Sequence, residues 1–331
     1  MLELGAVHEP IATLLAGKLE EVAVIFERQL ASDLSAVNEL CTHIESYRGK
    51  MLRPTLVLLS GLAAAGEPCD GAVLTNKHLT VAAVAEMIHM ATLVHDDVLD
   101  EAEMRRRGAT VNILWGNEAA VMLGDYLISN AFHLCSTIGD PSINLLLGQV
   151  TNTLCEGELV QLRHRDNYGL DEATYLQIIR RKTATLIGVC CRLGGALANA
   201  GEVQTQALER FGLALGTAFQ LQDDLLDLTG DAEVVGKSLG RDLDKGKLTL
   251  PVIHHLASVD SVERGRALRL IEQRDAAGLQ RRLMESGAVD RASEAAAELI
   301  AEAKRELPRL PAGPARDMMR HIADAVIDRS Y

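Results

Sequence analysis

Aromatic residues make up only 3% of this chain, and its 8 prolines leave the whole span between Pro141 and Pro251 without one. That scarcity argues against a loop-rich β protein, because Ala and Leu dominate the apolar positions and favour helix. Cysteine is sparse as well. Cys41, Cys69, Cys135, Cys155, Cys190 and Cys191 show no CxxC spacing and mostly sit among apolar neighbours, so they read as reduced thiols filling small core positions. No apolar run reaches about 18 residues, and the N-terminus has Glu3 almost at once with no basic segment followed by an apolar one. A soluble, cytoplasmic protein without a membrane span is expected. Positive charge is in deficit, with 33 Lys and Arg against 46 Asp and Glu for a net charge of −13. Non-specific binding to nucleic acid or to an anionic membrane is therefore disfavoured. The glycines form neither GxGxxG nor a P-loop, so a nucleotide-binding fold is not expected.

What is present is helical periodicity. Apolar stripes run through segments 80–100, 117–136, 142–164, 171–199 and 203–228, separated by short breaks such as Gly66-Glu67-Pro68, Gly139-Asp140-Pro141, Asn167-Tyr168-Gly169 and Gly201. Several stripes are apolar nearly all round, as befits helices inside a bundle. No Gly/Ser linker interrupts the 331 residues, so the expectation is one all-α domain over 1–331. Its motif-bearing core would span about 45–255, with peripheral helices over 256–331. Within that tail, 292–304 is amphipathic and charged, and Pro308, Pro311 and Pro314 interrupt the chain beyond it.

Two acidic patterns stand out. Asp96-Asp97-Val98-Leu99-Asp100 and Asp223-Asp224-Leu225-Leu226-Asp227 are 127 residues apart, each inside helix-favouring apolar sequence. At helical spacing Asp96 and Asp100 share a face, as do Asp223 and Asp227. Clustered carboxylates repel one another unless cations lie between them, and oxygen-liganded Mg²⁺ with substrate phosphates fits that need. One such motif alone could be a surface ion-pair network. A structural Ca²⁺ site would alternate its ligands through a Gly-containing turn, which neither motif does.

Each acidic stretch runs into basic sequence. Arg105-Arg106-Arg107-Gly108 follows the first, and Gly236-Lys237 with Gly240 to Lys247 follows the second. Upstream, Gly49-Lys50-Met51-Leu52-Arg53 offers a point charge and a planar fork suited to phosphate oxygens, although a basic turn before a helix is often simply solvated. Lys182-Thr183 interrupts an apolar stretch, where a lysine needs a partner or an outlet.

Both Asp-rich motifs, with Gly49-Lys50-x-x-Arg53, Lys182-Thr183, Phe219-Gln220 and the 236–247 loop, resemble the trans-isoprenyl diphosphate synthases, or polyprenyl synthetases, over about 45–255. The resemblance implies an all-α bundle around a deep central cavity, usually a homodimer. It implies an allylic diphosphate ionised by Mg²⁺, three ions with substrate bound, held by Asp96, Asp97, Asp100, Asp223, Asp224 and Asp227. Isopentenyl diphosphate would sit at Lys50, Arg53, His89 and Arg106, and the allylic diphosphate at Arg105, Lys182, Thr183, Gln220 and Lys237. Cations would stabilise the departing diphosphate while an apolar, water-poor pocket protects the carbocation. His95 is left unassigned. The family pattern commonly has two arginines before Gly, whereas Arg107 adds a third.

Short-chain members of that family carry bulky aromatics four and five residues before the first Asp. Here those positions are Thr92 and Ala91, with Met87 and Ile88 continuing the stripe and no aromatic from 81 to 114. An open cavity floor and a long-chain product, of the kind used for quinone side chains, are expected. A plug on another helix, at Met122, Leu123 or Tyr126, would instead give a short-chain farnesyl or geranylgeranyl product. Two further readings are a terpene cyclase, against which Asp227, Lys50 and Arg53 count, and a non-catalytic regulatory subunit, which would be expected to have lost motif carboxylates.

Overall fold

The apolar stripes become helices with boundaries close to those expected. The structure, a computed structural model, describes residues 9–67, 71–106, 108–229 and 240–328. Helices α1 (Glu9–Leu30), α2 (Ser35–Glu45), α3 (Leu52–Ala65) and α4 (Asn76–Leu99) lead into a ribbon of β1 (Met104–Arg105) and β2 (Gly108–Ala109). Then come α5 (Val111–Trp115), α6 (Asn117–Ser136), α7 (Pro141–Arg163), α8 (Glu172–Ile179), a π-helical turn (Arg180–Ala184), α9 (Thr185–Leu197) and α10 (Glu202–Thr229). Beyond 240 lie α11 (Arg241–Asp244), α12 (Leu250–Ser258), α13 (Ser261–Glu272), α14 (Ala276–Glu285), α15 (Ala288–Glu306), a 3₁₀ turn (Leu307–Arg309) and α16 (Pro314–Ile327). Among the described residues no helix is long and apolar enough to cross a membrane.

Three details differ from the sequence reading. The stripe over 171–199 is broken by the π turn into α8 and α9. The Arg-rich stretch forms a small antiparallel ribbon pairing Met104 with Ala109 and Arg105 with Gly108, which is too short to carry any alternation. Pro314, expected to interrupt, instead starts α16, where its missing N–H costs nothing and its fixed φ suits the first helical turn.

By contacts the chain forms two compact units, each assembled from separated stretches. The first comprises residues 1–151, 189–209 and 308–319, and the second 152–188, 210–307 and 320–331. In the first unit α4 packs against α1, α3 and α6, and every residue from Val81 to Ile88 is at most 3% exposed. A helix apolar all round has to be enclosed in this way. Its start is fixed by Thr75 and His78, whose Nδ1 accepts the Thr75 amide at 3.2 Å. The His78 ring also meets the Gly194 carbonyl at 3.1 Å and fills the space beside Gly61, where a side chain would collide with it. Nearer its end, the His95 ring occupies the site of a side chain at Gly124, with Nε2 3.1 Å from the Val121 carbonyl. A glycine on α6 thus sets how closely α4 and α6 approach.

The second unit is built on Tyr175, Ile179, Leu221, Leu225, Leu250, Ile253, Leu279 and Leu283, closed by small residues of α15. Ala288, Ala292, Ala296, Ile300 and Ala303 recur at helical spacing on the buried side of α15, in line with the amphipathic pattern read at 292–304. The π turn is held from two sides by glycines. A side chain at Gly157 of α7 would meet the Lys182 backbone nitrogen at 2.8 Å, and one at Gly216 of α10 would meet the Ala184 Cα at 2.7 Å. Widened helical turns of this type concentrate at functional sites, and this one carries Lys182 and Thr183.

Candidate active site

In the first unit the last turns of α4 present His89, Thr92, Leu93, Asp96 and Asp100 along one partly exposed stripe, as their helical spacing requires. Asp97 faces inward at 1% exposure. It is clasped by Arg105, whose Nε donates to Oδ1 at 2.9 Å and to Oδ2 at 3.0 Å while Nη2 donates to Oδ1 at 2.7 Å. The β ribbon folds Arg105 back eight residues onto that carboxylate, and the guanidinium lies 5.9 Å from the centre of the Tyr47 ring. Tyr47 is itself fully buried, accepts the Val111 amide at 3.0 Å, and has its hydroxyl pushed up to about 12 by burial and by the Asp97 charge. Of the two arginines assigned from sequence, Arg105 is therefore engaged with the acidic motif. Arg106 lies exposed over Gly49, where any side chain would run into its guanidinium.

That contact brings the Gly49-Lys50-x-x-Arg53 motif together with the Arg-rich ribbon. Arg53 and His89 are partly buried and Lys50 is exposed. Burial, followed by the charges of Arg53, Arg105 and Arg106, lowers the His89 pKa well below its usual range, so the ring is neutral at pH 7 and can both donate and accept. One member of this cluster was not anticipated. Glu86, one turn before His89, is 3% exposed. Burial raises its pKa against the opposing pull of Arg53, Arg106 and Arg48. Its signal in the sequence is a lone acid inside the apolar run Val81 to Ile88.

The residues read as the cavity floor divide between faces. Ala91, Met87 and Ile88 are 0% exposed on the packed sides of α4. Thr92 lies on the partly exposed stripe one turn before Asp96, its hydroxyl donating to the His89 carbonyl at 2.7 Å.

In the second unit a cavity of about 100 Å³ is lined by Lys182, Thr183, Gln220 and Asp224 together with Gln161, His164, Asp242 and Lys247. Lys182 finds its partner in Glu158, with which it forms an ion pair. Asp224 is 8% exposed and both its oxygens are taken. Tyr175 donates its hydroxyl to Oδ2 at 2.7 Å, Gln220 Nε2 donates to Oδ1 at 2.8 Å, and Thr183 donates to Gln220 Oε1 at 2.9 Å. Burial pushes the Asp224 carboxyl up to about 6, with Asp223 and Asp227 adding to the rise and the two hydrogen bonds opposing it. Asp227 receives the Arg241 and Asp242 amides at 3.3 and 3.1 Å, which ties α11 to the end of α10. Lys237 lies outside the described residues, as do Gly236, Arg107 and Cys69. Of the other cysteines, Cys41, Cys135, Cys190 and Cys191 are buried as expected and Cys155 is exposed.

Among the described residues no three His, Cys, Asp or Glu side chains are gathered closely enough to hold an ion unaided. The donor set nevertheless fits a hard divalent cation. Such an ion commonly takes one or two carboxylates and completes its shell with water and phosphate oxygens, and Asp96 and Asp100 offer hard oxygens one turn apart on a partly exposed face.

A sequence model of the polyprenyl synthetase family matches residues 35–285. The octaprenyl diphosphate synthase of Escherichia coli is 35% identical over 326 residues, covering 97% of this chain and 98% of that protein. The decaprenyl diphosphate synthase from Rhodobacter capsulatus superposes with a TM-score of 0.88 at 36% identity, covering 98% and 99% of the two chains. A polyprenyl synthase from Caulobacter crescentus, crystallised with calcium and isoprenyl diphosphate, gives a TM-score of 0.89 at 30% identity over 98% of both chains. The helices are those of the all-α isoprenoid synthase fold. The chain belongs to the polyprenyl synthetase family, the metal-dependent trans-prenyltransferases.

Proposed function

We propose that this enzyme condenses isopentenyl diphosphate head-to-tail with an allylic diphosphate, with Mg²⁺, to give a long-chain all-trans polyprenyl diphosphate that serves as a quinone side-chain precursor. The observation that carries the reading is the pair of acidic helix ends, each beside cations: Asp97 clasped by Arg105 with the Asp96 charge nearby, and Asp224 lining one cavity with Lys182 and Lys247. Relatives named for octaprenyl and decaprenyl products support the length, as does the absence of any aromatic residue along α4.

In this reading Lys182, Thr183, Gln220, Lys237 and Lys247 bind the allylic diphosphate, and bound Mg²⁺, three ions with substrate in place, supplies charge neutralisation for the leaving group. Asp96 and Asp100 would hold metal at the first motif, and Asp223 and Asp227 would hold it at the second. Asp97 and Asp224 belong to the same motifs but act through the groups they hold, Arg105 and Gln220. Lys50, Arg53 and Arg106 bind isopentenyl diphosphate beside the neutral His89. Its alkene attacks the allylic carbon as the carbon–oxygen bond breaks, and the released diphosphate takes up the proton. Buried apolar walls exclude the water that would quench the cation.

The enzyme acts as a homodimer in the cytoplasm. Ile113, Leu114, Val121 and Met122 leave an apolar surface on α5 and α6, with Met122 64% exposed, of the kind a second subunit covers. Incubation with Mg²⁺, labelled isopentenyl diphosphate and allylic primers of increasing length tests the reading. Long polyprenyl products are expected. Asp96→Ala should keep the fold and lose turnover, whereas wild-type rates in that variant would refute the assignment.

A further inference from the structure

The four hydrogen-bonded side chains of the second unit form a chain with a direction. Tyr175 donates to Asp224 at 2.7 Å, Gln220 donates to Asp224 at 2.8 Å, and Thr183 donates to Gln220 at 2.9 Å. An ionised carboxylate only accepts, so the Gln220 amide has to turn its NH₂ group toward Asp224 and its oxygen toward Thr183. Thr183 then spends its single hydrogen on Gln220, so the network leaves its lone pairs for a hydrated cation and the second Gln220 N–H for a diphosphate oxygen. Residues from α8, the π turn and α10 are thus set by one buried carboxylate, and all four line the same cavity.

Tyr175 closes the far end. It is 3% exposed, sits in the apolar core of the unit, and has no counterpart among the motifs that mark the site in the sequence. With its hydroxyl on Oδ2, the Asp224 carboxylate has one available oxygen for Gln220 and one torsional setting. Without it the carboxylate can turn and its two oxygens become equivalent, so the Gln220 amide still directs its NH₂ at Asp224 but is no longer held in one place. We infer that Tyr175 is a positioning residue for the allylic diphosphate pocket, acting through Asp224 to orient Gln220 and Thr183. The inference rests on the proposed assignment of that pocket and adds a residue to it.

Tyr175→Phe removes one hydroxyl and changes little else. Its kcat should fall about tenfold, the effect of losing an interaction needed in the transition state, with the KM for isopentenyl diphosphate within about twofold of wild type. Thr183→Val breaks the chain at its other end. Because both changes act through one network, the double variant should be no worse than about twofold below the weaker single variant. Calorimetric affinity for inorganic pyrophosphate with Mg²⁺ should weaken in Tyr175→Phe by severalfold, a readout that does not depend on elongation. Wild-type kcat and pyrophosphate affinity in Tyr175→Phe would overturn the inference, as would effects that multiply in the double variant. If the wild-type protein elongates no primer, the functional reading fails, and the pyrophosphate affinities alone decide the role of Tyr175. Should Tyr175→Phe not fold, 3-fluorotyrosine placed at 175 retunes the hydroxyl at constant packing. A severalfold change in the same two quantities supports the role, and none removes it.

Discussion

Asp224 makes the second unit sensitive to pH. Its carboxyl is raised from 3.8 to about 6, chiefly by burial, so the folded protein binds a proton over a range in which the unfolded chain has released it. For an acid of raised pKa, stability is greatest at low pH, falls as pH climbs from about 4 through about 6, and is level above. With those two values the destabilisation is about 2 kcal/mol at pH 5 and about 3 kcal/mol at pH 8, so between about 1 and 2 kcal/mol is lost across the window. At about 2.1 cal/mol/K per residue of unfolding entropy, a chain of 331 residues loses about 2 °C in Tm over that interval from this group. Asp224→Asn cannot titrate. It sacrifices roughly 1–2 kcal/mol, because one of its atoms becomes a donor facing Tyr175 or Gln220, but that loss is the same at both pH values. Thermal unfolding of both proteins at pH 5 and pH 8 without metal should therefore show the Asn variant gaining about 2 °C on the wild type as pH rises. Adding Mg²⁺ and pyrophosphate should flatten the wild-type slope, since nearby cations favour the ionised carboxylate. The same variant should turn over about tenfold or more slowly. Equal pH dependence in the two proteins would refute the reasoning.

Arg105→Lys exchanges a planar fork for a point charge on Asp97 and should lower kcat about tenfold or more with a small change in Tm, as steady-state kinetics will show. Gly124→Ala places a methyl group in the volume of the His95 ring and should cost about 1–3 kcal/mol by denaturant unfolding; an unchanged midpoint would mean that α4 and α6 can part at no cost. Ala91→Phe should shorten the products without abolishing turnover, and an unchanged product distribution would remove Ala91 from the floor. Met122→Glu should weaken subunit association, as measured by sedimentation, with little effect on the fold of each chain.

The helical class and the two acidic motifs were determined by the sequence alone, because helix formation and i, i+4 spacing are local: α4, α6, α7 and α10 lie within a few residues of the stripes that announced them, and Asp96 and Asp100 share a face through chain geometry alone. The long buried run of α4 likewise had to be an enclosed helix. Partner choice was not legible. That Asp97 is clasped by Arg105 depends on a ribbon of two-residue strands, and that Asp224 is held by Tyr175 depends on α8 and α10 packing 49 residues apart in sequence. Glu86 reads in the sequence as an isolated acid, and becomes part of a basic cluster only because α3 and the Arg-rich ribbon converge on α4. The two compact units escape a linear reading for the same reason, since each gathers separated stretches and neither is bounded by a linker. Periodicity and charge spacing are properties of one segment, whereas which side chain neutralises which, and which group is raised or lowered in pKa, is decided by contacts between segments that only the folded chain brings together.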